Sequence, residues 1–196
     1  MTYKQSVIGL VGEQFAQKLQ IDNAQIKQAV SYGIGVYAQV EPMNSRAYCQ
    51  QCVPLLINNI EMDQQRMLSY HGATDNAIAA LVKIMKHCQI KTPEMVRAIF
   101  KGLPLYADEE ELVTVYGYIF TNMQQEFMAS PMEKQVVIMV EPILRGLTKQ
   151  LAPSFKAQYA QVFHVCMQNA GFKQGLELMM GGVSANSQRE VEEFFK

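Results

Sequence analysis

The sequence predicts an all-α fold made of stacked antiparallel helix pairs. Apolar residues recur at spacings of three and four along the chain, the period of one helix face, while strictly alternating strand patterns are short and rare. Pro and Gly separate segments of about 14 to 20 residues, the ordinary length of a globular helix. Because these features extend through the whole sequence, we expect helices throughout.

Capping residues and helix stops divide the pattern into individual helices. The predicted helices are 5–20, 24–40, 45–61, 72–88, 93–103, 108–127, 131–150, 154–170, 172–180 and 187–195. Four starts place a capping oxygen three residues before an acidic or amide side chain: Asp22 with Gln25, Asp108 with Glu111, Ser130 with Glu133 and Ser187 with Glu190. Thr92-Pro93 predicts a further start, and Gly171 and Gly181-Gly182 predict stops.

The predicted helices form pairs, and the second helices of the pairs share a similar pattern of small and apolar residues. The offset from Ala29 to Ala77 is 48 residues, and that from Ala77 to Val115 is 38 residues. Two helices per unit at a spacing of about 40 to 47 residues are the signature of HEAT repeats. We therefore predict a HEAT-repeat α-solenoid, a right-handed superhelical segment that forms a single domain. Its about four to five repeats are predicted at 1–40, 45–88, 93–127, 131–170 and, as a terminal cap, 172–196.

The composition excludes several classes of partner. With 49% apolar and 18% charged residues and a formal net charge of −1, the chain has no overall field that favours nucleic acid or an anionic membrane. No apolar run approaches the ~18 residues that span a bilayer, and no secretory signal is expected. The four cysteines, Cys49, Cys52, Cys88 and Cys166, make no disulfide framework, which favours an intracellular compartment.

The residues most suggestive of chemistry are better explained by packing. Cys49-x-x-Cys52 places two thiols on one helix face, but a zinc site needs four ligands and no paired partner follows, so we expect core packing. Gly33-x-Gly35 lies within a predicted helix, where glycine suits close approach of a neighbouring helix. The three histidines, His71, His87 and His164, stand apart from any nucleophile or metal motif. We therefore expect no enzyme activity, no metal and no cofactor.

Three blocks of sequence together resemble a known family. Segment 28–39, segment 73–81 and the Leu103-Pro104-Leu105 block followed by Asp108–Glu111 are similar, in order and spacing, to helices near the C-terminus of the karyopherin-β (importin-β) nuclear transport receptors. The spacing looks like that of the branch that imports ribosomal proteins and histones. Two features depart from the family: Ile99–Gly102 stands where Trp is common, and the segment is nearly neutral rather than acidic.

The resemblance implies a function in protein transport. Such receptors are longer HEAT superhelices that bind cargo on the concave face, Phe-Gly nucleoporins on the convex face, and Ran GTPase mainly through N-terminal repeats. This chain would be a C-terminal segment that shuttles between cytoplasm and nucleus and passes the nuclear envelope. Its expected partners are basic protein cargo and Phe-Gly nucleoporins, with Ran bound upstream. No direct contact with nucleic acid and no membrane insertion are expected.

The candidate cargo contacts lie on, or at the start of, the second helices of pairs. They are Asp75, Asn76, Asp108, Glu109, Glu110 and Glu111. Carboxylates at 108–111 also suit a helix N-terminus, so a capping role is the simpler reading of that run. Apolar residues Val7, Ile8, Val11 and Phe15 predict an upstream repeat or self-association. Three alternatives stay open: a HEAT-repeat scaffold or adaptor unrelated to nuclear transport, an undetected helical enzyme, and an end cap that contacts only its own upstream repeats.

Overall fold

The residues that the structure describes are mainly helical. The structure is a computed structural model that describes residues 12–63, 68–144 and 153–194, and those residues contain no strand. The helices are α1 (12–19), α2 (Ala24–Val40), α3 (Pro42–Asp63), α4 (His71–Lys83), α5 (Pro93–Gly102), α6 (Glu109–Asn122), α7 (Gln124–Met128), α8 (Met132–Leu144), α9 (Pro153–Cys166), α10 (Ala170–Gly181) and α11 (Ala185–Phe194). A 3₁₀ turn at Leu68–Tyr70 precedes α4, and a π-helical turn at Ile84–Cys88 ends it. The prediction of an all-α helical-repeat fold is confirmed.

Several helix ends lie where the sequence predicts them. The hydroxyl of Thr92 accepts the backbone N–H of Met95 at the start of α5, with Pro93 as the first helical residue. The Gly181-Gly182 pair ends α10. At these two ends, no neighbouring residue offers an alternative cap or stop, so the local sequence is enough to place the end.

Other predicted caps are wrong because a competing residue takes their place, although α2 begins and ends at the predicted positions. Asn23, not Asp22, caps α2 by accepting the N–H of Ile26, and Ser184, not Ser187, accepts the first-turn N–H of α11. The Ser130 hydroxyl donates to the carbonyl of Phe127 instead of capping α8. Gly171 lies in the first turn of α10 rather than ending α9, and the predicted helix 108–127 breaks at Met123. A one- to three-residue shift leaves the apolar face unchanged, so periodicity alone does not fix these ends.

The chain divides into two compact units, 1–115 and 116–196, with the boundary inside α6. In the first unit α2 packs on α4 and α3 packs on α5, so equivalent helices of successive pairs stack on each other. Phe15 of α1 is half-buried, and its ring approaches Tyr48 of α3 with centroids 6.3 Å apart. Val7, Ile8 and Val11 lie outside the described residues. The single-domain prediction and its repeat bounds stay predictions.

The close approach of α2 and α4 depends on small side chains. A Cβ atom at Gly35 would lie 3.0 Å from Cδ of Lys83 and 3.3 Å from Cα of Ala80. Ala77 and Ala80 are completely buried on α4. Glycine weakens a helix by about 1 kcal/mol relative to alanine, so the gain here comes from packing against α4. The packing interpretation of the Gly33-x-Gly35 motif is confirmed at Gly35.

The buried cysteines are part of this first core. The residues Cys49 and Cys52 are both fully buried with free thiols. Burial is the largest cause that raises the pKa of Cys49 to about 12 and the pKa of Cys52 to about 11. Both thiols are therefore protonated at neutral pH and act as small apolar groups, which confirms core packing for the Cys49-x-x-Cys52 motif.

Aromatic side chains form the core of the second unit, where α8 packs against α10 and α11. The ring of Phe120 lies edge-on to Tyr159, with centroids 4.5 Å apart, and to Phe127 at 5.5 Å. The hydroxyl of the fully buried Tyr159 donates to the carbonyl of Met139. Burial raises the pKa of Tyr159 well above its usual range, so the hydroxyl stays a donor.

Candidate functional site

Helix α4 is buried along nearly its whole length, including its polar residues. Thr74, Asp75, Asn76 and Lys83 are each no more than 7% exposed. Polar groups removed from water are stable only when hydrogen bonds replace the lost hydration. The partners of these side chains therefore show what α4 does, and most of them lie at the start of α6.

The carboxylate of Asp75 binds the chain that connects α5 to α6. Its Oδ2 accepts the backbone N–H groups of Tyr106 at 2.9 Å, Ala107 at 2.6 Å and Asp108 at 2.9 Å. Burial is the largest cause that raises the pKa of Asp75, and the three N–H bonds counteract that rise. One carboxylate thus satisfies three consecutive backbone donors in a segment that is neither helix nor strand.

Asn76 extends the same contact to the first turn of α6. Its Nδ2 donates to Oδ2 of Asp108 at 2.7 Å and to the carbonyl of Gly72 at 3.0 Å. The other carboxylate oxygen of Asp108 accepts the N–H of Glu111 at 3.3 Å. The predicted capping role of Asp108 is confirmed, and Asn76 holds the cap in place.

A buried ion pair joins the far end of α4 to α6. Lys83 Nζ donates to Oε1 of Glu111, and both side chains are less than a tenth exposed. Lys83 Nζ also lies 5.5 Å from the centre of the Tyr32 ring, within range of a cation–π contact. Since residues 76 and 83 are two helical turns apart, one face of α4 makes both contacts.

The six predicted cargo contacts differ in what their side chains can reach. Asp75, Asn76 and Glu111 are buried, Asp108 is half-buried, and Glu109 and Glu110 are exposed. Four of the six therefore make the hydrogen bonds and ion pair that hold α6 against α4. The exposed carboxylates of Glu109 and Glu110 are the two placed to meet a partner, and cargo binding stays a prediction.

An apolar groove that the sequence does not reveal lies between α3 and the start of α5. It has a volume of about 520 Å³, and its apolar lining comes from Val53, Pro54, Ile57 and Ile90. Three of these side chains follow the helical period on α3, and the fourth comes from the connection after α4. Bringing Ile90 against α3 depends on tertiary packing, so periodicity along α3 gives no sign of the groove.

The described residues offer no other obvious centre for chemistry. Within ranges 12–63, 68–144 and 153–194, no three His, Cys, Asp or Glu side chains are grouped so that they could hold a metal ion. No helix in that part of the chain is long and apolar enough to cross a membrane. Two surfaces in this part of the chain suit a macromolecular partner, the exposed acidic turn of α6 and the apolar groove.

The fold and these surfaces define an all-α helical-repeat protein whose polar side chains tie successive helix pairs together. No protein-family model matches the chain. Over 131 residues, the chain is 24% identical to importin subunit beta-3 of the yeast Saccharomyces cerevisiae. The match covers 65% of this chain and 12% of the yeast protein, so the chain spans a small part of that relative's length. It supports a karyopherin-like relationship.

Proposed function

We propose that this chain is a C-terminal HEAT-repeat segment of a nuclear import receptor and acts by binding rather than by catalysis. The match to importin subunit beta-3, in a chain whose equivalent helices stack in layers, is the observation that carries the proposal. Its partners are Phe-Gly nucleoporins and basic protein cargo such as ribosomal proteins or histones. A receptor with these partners shuttles between cytoplasm and nucleus.

The groove between α3 and α5 suits the phenyl rings of Phe-Gly repeats. Its volume falls within the usual range for ligand sites, about 300 to 1,000 Å³, and the apolar part of its lining is aliphatic. Two carboxylates also line the groove, each with a cation nearby: Glu61 lies 3.4 Å from Lys101 Nζ, and Glu94 lies 3.8 Å from Arg97. Because these charges are balanced locally, the groove favours an uncharged segment with aromatic side chains.

Replacing both Ile57 and Ile90 with Ser is expected to weaken binding to immobilised Phe-Gly peptides by about tenfold or more. Each isoleucine contributes apolar area that a phenyl ring would cover, at roughly 25 cal/mol per Å². Binding is measured by surface plasmon resonance, with Ser-Gly peptides as the ligand control. A Leu178→Ser variant, which removes an exposed apolar side chain of the second unit, is the matched protein control. If the Ile57/Ile90 variant binds Phe-Gly peptides as tightly as the wild type does, the groove is not the Phe-Gly site.

The exposed turn of α6 supports contact with basic cargo. Glu109 and Glu110 point their charge to solvent, while their neighbours Asp108 and Glu111 are engaged with α4. Two adjacent exposed carboxylates raise the local concentration of Lys- and Arg-rich segments, and the effect falls with salt. The helix start and the cargo contact are therefore made by different members of one acidic run.

Replacing both Glu109 and Glu110 with Lys is expected to weaken the binding of a basic cargo peptide by about tenfold at low salt, and by less at physiological salt. The matched control is Glu190→Lys with Glu193→Lys, which makes the same change of charge on α11. Fluorescence anisotropy with a histone-tail peptide measures both. Equal affinity of wild type and the Glu109/Glu110 variant at low salt would exclude this turn. Absence of Phe-Gly binding by the wild type, together with absence from the nuclear envelope, would favour a HEAT-repeat scaffold or adaptor unrelated to nuclear transport.

A further inference from the structure

A proline stands in the middle of α3, where local physics disfavours it. Pro54 lies within the helix Pro42–Asp63, more than two turns from either end. Proline in a helix interior removes one hydrogen bond of the helix, because its nitrogen carries no hydrogen. Pro54 is exposed, so burial in the core does not offset this cost. A residue that breaks a local rule without a gain in packing marks a position where function is expected.

The missing donor changes one backbone acceptor. In an α-helix the carbonyl of each residue accepts the N–H of the residue four positions later. The carbonyl of Gln50 therefore lacks the donor that residue 54 would otherwise supply. Helix carbonyls point toward the C-terminus, so this carbonyl points toward the ring of Pro54. Both Gln50 and Pro54 line the apolar groove between α3 and α5.

The groove follows one face of α3, and its length suits an extended peptide. The α3 residues that line it recur at spacings of three and four: Gln50, Val53, Pro54, Ile57, Asn58 and Glu61. At 1.5 Å per residue this face is about 16 Å long, which is the length of about five extended residues. The groove therefore has room for a short peptide segment beside the acceptor at Gln50.

Other polar groups of the groove already serve the fold. The hydroxyl of Thr92 accepts the N–H of Met95 at 3.3 Å, and Nδ2 of Asn58 donates to the sulfur of Met62 at 3.3 Å. The two carboxylates of the lining each have a cation nearby. The carbonyl of Gln50 differs from these groups, because the sequence of its own helix withholds its usual donor.

We propose that the carbonyl of Gln50, released by Pro54, accepts a backbone N–H of the Phe-Gly segment that occupies the groove. This inference rests on the proposed function and names the contact that makes the groove a site for peptides. The carbonyl points to the level of residue 54, about 5 Å along the helix axis from Ile57. A phenyl ring that covers Ile57 and Ile90 thus places the N–H of the Phe, or of the residue beside it, near Gln50.

The probe is a Phe-Gly peptide in which one backbone amide at a time is replaced by an ester, which removes the N–H without adding bulk. With the wild-type chain, the ester at or beside the Phe is expected to weaken binding by about fivefold or more, and esters farther away by less than about twofold. Pro54→Ala supplies an N–H to the carbonyl of Gln50, so the amide and the sensitive ester should bind this variant equally. Pro54→Val should behave in the same way while keeping an apolar side chain in the lining. Isothermal titration calorimetry measures each affinity.

The matched control is Pro142→Ala, which makes the same substitution within α8. This variant should keep the loss that the ester causes in the wild type. Circular dichroism melts of Pro54→Ala should show an unchanged or raised Tm, because alanine favours a helix interior and proline opposes it.

An ester penalty of equal size in wild type and Pro54→Ala would overturn the inference, and so would a wild type that is insensitive to every ester. Both results leave Phe-Gly binding itself intact, so the proposed function would stand. If the unmodified peptide does not bind the wild type, the proposed function fails and the inference fails with it. Tighter binding of a Leu-Gly peptide than of the Phe-Gly peptide would overturn the choice of occupant.

Discussion

Replacing Asp75 with Ala is expected to lower the free energy of unfolding by about 3 kcal/mol at neutral pH. The substitution removes the acceptor of three backbone N–H groups, at Tyr106, Ala107 and Asp108. Hydrogen bonds to a charged group contribute about 1.5 to 3 kcal/mol each, but water reaches part of this exposed connection and replaces some of the loss. Urea denaturation measures the total loss in the free energy of unfolding. Amide hydrogen exchange at residues 106–108 shows whether that loss is confined to the connection between α5 and α6.

The effect of this substitution should depend on pH. Burial raises the pKa of Asp75 in the folded state above its unfolded value, so folding favours the protonated form. Asp75 therefore contributes most below the ordinary pKa of aspartate, about 3.9, and that contribution falls as the pH rises through the raised pKa. The difference in stability between wild type and Asp75→Ala should be larger in acid than at neutral pH.

An exposed carboxylate at the same helix start provides the control. Glu109→Ala is expected to change the free energy of unfolding by no more than about 0.5 kcal/mol, because Glu109 is exposed at the surface. A similar loss for Asp75→Ala and Glu109→Ala would contradict the anchoring role of Asp75. So would unchanged amide exchange at residues 106–108 in the Asp75 variant.

Replacing Lys83 with Met is expected to cost about 3 to 5 kcal/mol, because it leaves the carboxylate of Glu111 buried without its partner. Glu111→Leu should cost a similar amount for the opposite reason, since the ammonium group of Lys83 is then unpaired. The double variant should recover most of the loss, because a buried ion pair replaced by apolar side chains is often neutral in stability. Urea denaturation of the four proteins completes a double-mutant cycle.

The surface pair of Glu94 and Arg97 is the matched control for this cycle. Their side chains are 60% and 71% exposed and 3.8 Å apart, so Arg97→Ala should cost less than about 1 kcal/mol. Additive losses for Lys83→Met and Glu111→Leu, with no recovery in the double variant, would show that the two side chains are not coupled. The buried pair would then be a geometric coincidence rather than the joint between α4 and α6.

Only part of the candidate site could be predicted from the sequence. The run Asp108–Glu111 is visible in the sequence both as a helix start and as a candidate cargo contact; the helix start is confirmed at Asp108, and cargo contact stays a prediction. Which carboxylate is buried depends on α4: Asn76 and Lys83 reach Asp108 and Glu111, and leave Glu109 and Glu110 in solvent. Lys83 shows no sequence signal for this role, because a lysine near a helix end normally reads as solvated.

By itself, the sequence determined that the chain is helical and approximately where each helix lies, because both follow from the 3.6-residue period of apolar residues and from local caps. It also determined that Gly35 and the cysteines serve packing. Only the tertiary structure decided which polar side chains are buried, that Ile90 closes a groove against α3, and that the α2–α3 turn lies beside the connection that follows α4. These features join residues about 30 to 50 positions apart, and local patterns carry no information about such pairs.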